Sequence, residues 1–182
     1  MPAFSRWIVT RPGNGTAANV RLEGWGPGGV ALLVEARAAA PGPAEAALRA
    51  VVSEHGGSPG AGGCTAWMFS PSGVILVPKR AATPERLEHI ASDAGLESVN
   101  DAGDSWELVT APDALENARK ALEGAGIPVA SCRTARVPQT LIPLSGADAD
   151  RMLRLHAAIS ARDDVVLLCA NFDVPDGGGS AP

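Results

Sequence analysis

Residues 74–136 read VILVPKRAATPERLEHIASDAGLESVNDAGDSWELVTAPDALENARKALEGAGIPVASCRTAR. Val74–Pro78 and Trp106–Thr110 have the length and β-branched content of strands, and Glu97–Val99 and Val129–Arg133 read as strands filling the gaps. Between them lie two segments of helical period. One starts at Thr83-Pro84, sets Leu87, Ile90, Ala91 and Ala94 on one face and stops at Gly95. The other follows Thr110-Ala111-Pro112-Asp113, buries Leu115, Ala118 and Leu122 and ends near Gly126. Pro in the first turn and Gly after the last are the expected helix boundaries. The order strand-helix-strand-strand-helix-strand is the ferredoxin-like, split βαβ unit.

The flanks supply what a second unit needs. Upstream, strands at Val30–Ala36 and Thr65–Phe69 bracket a helix that opens at Pro43. It presents Ala44, Ala47, Leu48, Val51, Val52 and His55 on one face and stops at Gly56-Gly57. Downstream, strands at Leu141–Leu144 and Val165–Phe172 bracket a helix after Ser145-Gly146-Ala147-Asp148. That tetrad is a capping-box pattern with Asp in place of Glu, and the helix buries Met152, Leu155, His156 and Ile159. The expected architecture is α+β, a ferredoxin-like domain (74–136) inserted into a second α+β sandwich domain (20–73 plus 137–176). Pro78 and Pro138 stand near the two crossing points. Residues 1–19 read as an irregular arm and 177–182 as a flexible tail.

Composition narrows the function. The 182 residues carry 15 basic and 20 acidic side chains, net −5, with two lysines, Lys79 and Lys120. Nucleic-acid affinity comes mainly from Lys and Arg on phosphates, so this balance favours weak binding. An apolar fraction of 46% excludes global disorder. No apolar run is long enough to span a bilayer, and no secretory signal pattern opens the sequence. Cys64, Cys132 and Cys169 form no metal-ligand spacing; they read as small core residues of a protein in a reducing cytoplasm. Neither a cofactor nor a metal is expected.

Few residues suit catalysis. Gly56-Gly57-Ser58-Pro59-Gly60 has the letters of a nucleophile elbow. A helix precedes it where a strand is needed, and Pro59 lacks the N–H of an oxyanion hole. The glycine-rich stretches 24–29 and 56–63 lack GK[ST] and run into strands, so no helix N-terminus faces a phosphate. They read as specific turn shapes. His156 is expected in the core, His55 at the end of its helix and His89 towards solvent. Asp163-Asp164 and Asp173/Asp176 read as solvated ends and turns.

Three segments carry a resemblance. Glu23-Gly24-Trp25-Gly26-Pro27-Gly28-Gly29-Val30 resembles the Glu-Gly-Tyr/Trp-Gly-Pro-Gly-Gly signature of the YebC/PmpR family. His55-Gly56-Gly57 through Ala66-Trp67-Met68-Phe69 is similar to its second signature, and Asn171-Phe172-Asp173-Val174-Pro175-Asp176 to its C-terminal segment. The resemblance covers about residues 20 to 176 in order. It implies the same two-domain fold and a non-enzymatic regulator of gene expression, binding DNA or acting on the ribosome.

The sequence departs from the family in three places. Only Phe4-Ser5-Arg6-Trp7 is similar to the opening His-Ser-Lys-Trp of the family's lysine-rich N-terminal domain, so the chain reads as a truncated form. Ala38-Ala39-Ala40-Pro41-Gly42-Pro43 replaces a polar Asn-Arg-Asn-Arg-Thr stretch. Gly60-Ala61-Gly62-Gly63-Cys64 replaces Gly-Thr-Ser-Gly-Ser. Each change removes charge or hydrogen-bonding groups that phosphate contacts use, which implies weakened nucleic-acid binding. The alternative is a YebC-like scaffold repurposed to bind a small molecule or a protein partner, or to act as a biosynthetic enzyme. The binding candidates are Trp25, Gly26, Pro27, Gly28, Gly29, His55, Trp67 and Met68, around the glycine loop and the cleft between domains. Trp25 reads equally as a contact residue and as a core plug.

Overall fold

The computed structural model describes residues 8–13 and 16–175. The Phe4–Trp7 motif and the tail after residue 176 lie outside them. The chain divides into two compact units, crossing from one to the other between Phe69 and Ser70 and returning between Val137 and Pro138.

Fifteen elements follow one another: β1 (Val9–Thr10), β2 (Ala18–Gly26), β3 (Val30–Ala38), α1 (Pro41–Glu54), β4 (Ser58–Pro59), β5 (Phe69–Pro78), α2 (Pro84–Ala91), β6 (Leu96–Asp101), β7 (Ser105–Thr110), α3 (Leu115–Gly124), β8 (Ser131–Pro138), β9 (Ile142–Pro143), α4 (Gly146–Ser160), β10 (Val165–Ala170) and β11 (Phe172–Asp173).

In the 70–137 unit the sheet order is β6-β7-β5-β8, the ferredoxin-like order. β7 runs antiparallel to both β5 and β6. One face of this sheet (Ile75, Val77, Leu108) packs with Leu87 of α2 and Ala118 and Leu122 of α3. Helix α2 is shaped as its sequence dictates. Thr83 Oγ1 accepts the Arg86 N–H, Pro84 opens the first turn, and Gly95 closes the helix at φ 89°.

The other unit has a sheet of order β1-β10-β3-β2-β4, antiparallel along β1-β10-β3-β2-β4 throughout. Helices α1 and α4 lay Leu48, Val52, Met152, Leu155 and Ile159 on Val20, Leu22, Leu32, Val34 and Leu168. Each such side chain, fully buried, contributes about 1.5–3 kcal/mol relative to exposure. Among the described residues the fold is α+β, two antiparallel sheets and a two-stranded parallel pair with four α-helices.

Several local expectations need correction. The segment 1–19 is not wholly irregular: Val9–Thr10 pairs with β10, and β2 begins at Ala18. Arg11 also donates to the carbonyls of Ser160 and Arg162 (2.7 and 3.1 Å), a cation on the C-terminal end of α4. The strand expected at Thr65–Phe69 is a 3-10 turn over Ala66–Met68, and β5 begins only at Phe69. Pro78 pairs with Ser105 inside the ferredoxin-like sheet and marks no crossing. Ser145 makes no capping hydrogen bond through its side chain. His156 is half-buried at the rim of the core, its ring edge-on to Phe172 and its Nδ1 3.3 Å from Ser160 Oγ. Only Cys169 is fully buried; Cys64 and Cys132 are partly exposed. Val165–Phe172 is broken at Asn171, whose Oδ1 accepts the Ala31 N–H at 2.6 Å, while Phe172–Asp173 turns away to pair with β9. Among the described residues no helix is long and apolar enough to cross a membrane.

Candidate functional site

Most of the first signature has a structural explanation. β2 and β3 form a hairpin in register from Ala18↔Ala38 to Gly26↔Val30, closed by Pro27-Gly28-Gly29. Gly28 and Gly29 sit at φ 73° and 78°, consecutive left-handed positions that side chains rarely adopt. A methyl on Gly28 would also lie 2.5 Å from Leu144 Cδ2, and one on Gly26 2.7 Å from Met152 Sδ. The turn is therefore seated on the start of α4. Gly24 is needed for another reason. A methyl there would lie 2.7 Å from the Ser58 carbonyl oxygen and 3.0 Å from Gly60 N, so β4 could not approach β2. The two glycine stretches, far apart in sequence, meet here backbone to backbone.

Glu23 fastens the second stretch. Its side chain is 3% exposed. Oε1 accepts the Gly63 N–H at 2.9 Å, and Oε2 accepts those of Thr65 and Ala66 at 2.9 and 2.8 Å. Arg21 Nε lies 3.3 Å from Oε1. Burial alone would raise the Glu23 carboxyl pKa; the three N–H donors and the guanidinium outweigh it and hold the group below its ordinary 4.5. Glu23 opens the signature, yet nothing in its neighbouring sequence announces its burial, because the N–H groups it holds lie forty or more residues further on.

What the clamp holds is Trp67. It follows Ala66 directly, its Nε1 donates to the Cys64 carbonyl at 3.1 Å, and it is 67% exposed. Trp25, two residues after Glu23 on β2, is 37% exposed. These two are the large apolar side chains left to solvent among the described residues. Trp25 is thus no fully buried plug. Met68 is half-buried; its N–H donates to the Thr65 carbonyl at 2.9 Å, and its carbonyl accepts from Gln139 N at 3.1 Å. Glycine turn, Trp25, Trp67 and Met68 are therefore joined through Glu23 and the β2–β4 contact.

His55 belongs to a different surface. It caps the end of α1, with Nδ1 2.8 Å from the Val51 carbonyl. With Glu54, Gly56, Arg151 and Arg154 it lines a groove of about 310 Å³. Nothing in the sequence marks Arg151 or Arg154 as part of a site. They sit three residues apart outside the apolar stripe of α4, where charged residues usually only face water.

Comparison with known proteins agrees with this architecture. Residues 17–172 match the family described as TACO1/YebC second and third domain. A "probable transcriptional regulatory protein" of Pelotomaculum thermopropionicum is 38% identical over 166 residues, 90% of this chain and 68% of the relative. One of the same description from Dictyoglomus thermophilum is 37% identical over 175 residues, 96% of this chain and 70% of the relative. A crystal structure of the conserved hypothetical protein Aq1575 from Aquifex aeolicus superposes with a TM-score of 0.79 at 28% identity, covering 94% of this chain and 71% of that one. With the glycine signature, the hairpin it builds and the match over 17–172 all in place, the chain belongs to the TACO1/YebC family.

Proposed function

We infer that this chain is a non-enzymatic, YebC-like regulator of gene expression that works by contact with nucleic acid or with the ribosome. The observation that carries this reading is the family match over residues 17–172, which takes in the rigidly seated Trp25 turn and the clamped Trp67 turn. Exposed tryptophans on fixed backbone serve as contact anchors, since their ordering cost is already met by the fold. Transcriptional regulation is the role named for the relatives.

Duplex binding by this chain alone is expected to be weak. With 15 basic against 20 acidic residues, few phosphates can be neutralised, and the dissociation constant at physiological salt should exceed about 10 μM. Gel shift or anisotropy on duplex DNA measures this, and a submicromolar value would overturn it.

The direct test of the reading is co-sedimentation of the purified chain with ribosomes, beside a duplex-shift assay, for the wild type and Trp25→Ala. Fully buried aromatics cost about 3–5 kcal/mol when truncated to Ala. Trp25, partly in solvent, should cost under about 2 kcal/mol, a melting shift of a few degrees. Loss of the bound fraction with that small shift supports a contact role. A wild-type chain that neither sediments nor shifts DNA removes the proposed function, and a strongly destabilised variant that still binds removes Trp25 from it.

A further inference from the structure

The groove at the end of α1 differs in kind from the tryptophan surface. The last carbonyls of α1 would ordinarily repel an anion, but here three of them already accept hydrogen bonds. Val51, Ser53 and Val52 accept from His55 N, Gly56 N and Gly57 N at 3.3, 3.1 and 2.9 Å. Because the Val51 carbonyl can only accept, His55 Nδ1 carries a proton, and Nε2 is the ring's remaining polar atom. Opposite stand Arg151 and Arg154, neighbours on one face of α4. The Asp148 carboxylate reaches Arg151 only at 4.0 Å, and Arg154 has no ion pair among the described residues.

Two guanidiniums lining one groove suit a phosphate group, which they can grip through paired N–H donors. Glu54 in the same lining would oppose a bare anion. A carboxylate in such a place is useful when the ligand brings hydroxyls, which donate to it. The volume, about 310 Å³, is at the small end of ligand sites, which calls for a small ligand.

We propose that the groove formed by Glu54, His55, Gly56, Arg151 and Arg154 binds a ribose phosphate, with Arg151 and Arg154 on the phosphate and Glu54 on the ribose hydroxyls. A free sugar phosphate and one residue of a single-stranded RNA present the same chemistry to the groove. Recognition of the 2′-hydroxyl separates ribose from deoxyribose. The assignment rests on the groove alone, so failure of ribosome or DNA binding leaves it standing.

The test is an NMR titration of the isotopically labelled full chain with ribose 5-phosphate, 2-deoxyribose 5-phosphate, orthophosphate and an eight-residue oligoadenylate RNA. Ribose 5-phosphate is expected to shift the signals of residues 54–56 and the side chains of Arg151 and Arg154. The double variant R151Q/R154Q should bind it about tenfold or more weakly, with an unchanged melting curve, since both side chains are on the surface. Glu54→Gln should retain phosphate binding and lose the preference for ribose over deoxyribose. Tighter binding of the RNA, with the same dependence on the arginines, supports the site with RNA as the source; equal binding supports it with the free sugar phosphate. Shifts confined to other residues, a double variant that binds like wild type, or orthophosphate binding as tightly as ribose 5-phosphate would each overturn the proposal.

Discussion

Glu23→Ala is expected to lower the unfolding free energy by about 3–5 kcal/mol, the range seen when one partner of a buried charged network is removed. The carboxylate accepts the Gly63, Thr65 and Ala66 N–H groups, and Thr65 is fully buried, so its donor is left without a partner. For a chain of this size the melting temperature should fall by roughly 6–20 °C. Limited proteolysis should show new cleavage within residues 60–66. Glu23→Gln keeps the volume and one acceptor and should cost distinctly less. It also separates the effect of charge. The folded carboxyl titrates below its ordinary 4.5, so its contribution is fully present above that value and is lost as pH falls through the lower, folded-state value. Wild-type stability should therefore drop on acidification below about pH 5, and the Gln variant should show a flatter profile there. Equal acid sensitivity in the two proteins would show that Glu23 is not the group responsible.

Gly24→Ala should be nearly as damaging, at about 3 kcal/mol. The new methyl would meet the Ser58 carbonyl oxygen at 2.7 Å and Gly60 N and Pro59 Cα at 3.0 Å, all of them backbone. No rotamer change relieves that contact. β4 must move off β2, which breaks the Gly60 N–H bond to the Glu23 carbonyl (2.8 Å) and loosens the loop that Glu23 holds. Gly124→Ala is the control. It lies in the last turn of α3 with nothing within 4 Å of the added methyl, and alanine is the better helix former by up to about 1 kcal/mol. Chemical denaturation of both variants should give opposite signs. A neutral Gly24→Ala would show that β4 has no need of close approach.

The sequence by itself determined the parts of this protein that depend on local periodicity. Leu87 and Ala91, Ala118 and Leu122, and Met152, Leu155 and Ile159 recur at the spacing of one helix face, and they are the residues buried against the sheets. Thr83-Pro84 and Gly95 bound α2 through a cap and a left-handed stop that act within a few residues. The ferredoxin-like order follows, because few topologies accept that succession of elements. Only the tertiary structure decided the rest. β2 was hidden because Arg21, Glu23 and its glycines carry little strand propensity; pairing with β3 along nine positions makes it a strand. The strand read at Thr65–Phe69 yields to a 3-10 turn because Glu23, forty-odd residues earlier, takes the Thr65 and Ala66 N–H groups that a sheet would have used. The groove of His55, Arg151 and Arg154 joins residues about a hundred positions apart, and no pattern within one segment could announce it. Helix faces are written in nearest neighbours along the chain, whereas a buried carboxylate, a glycine contact and a charged groove exist only once distant segments meet.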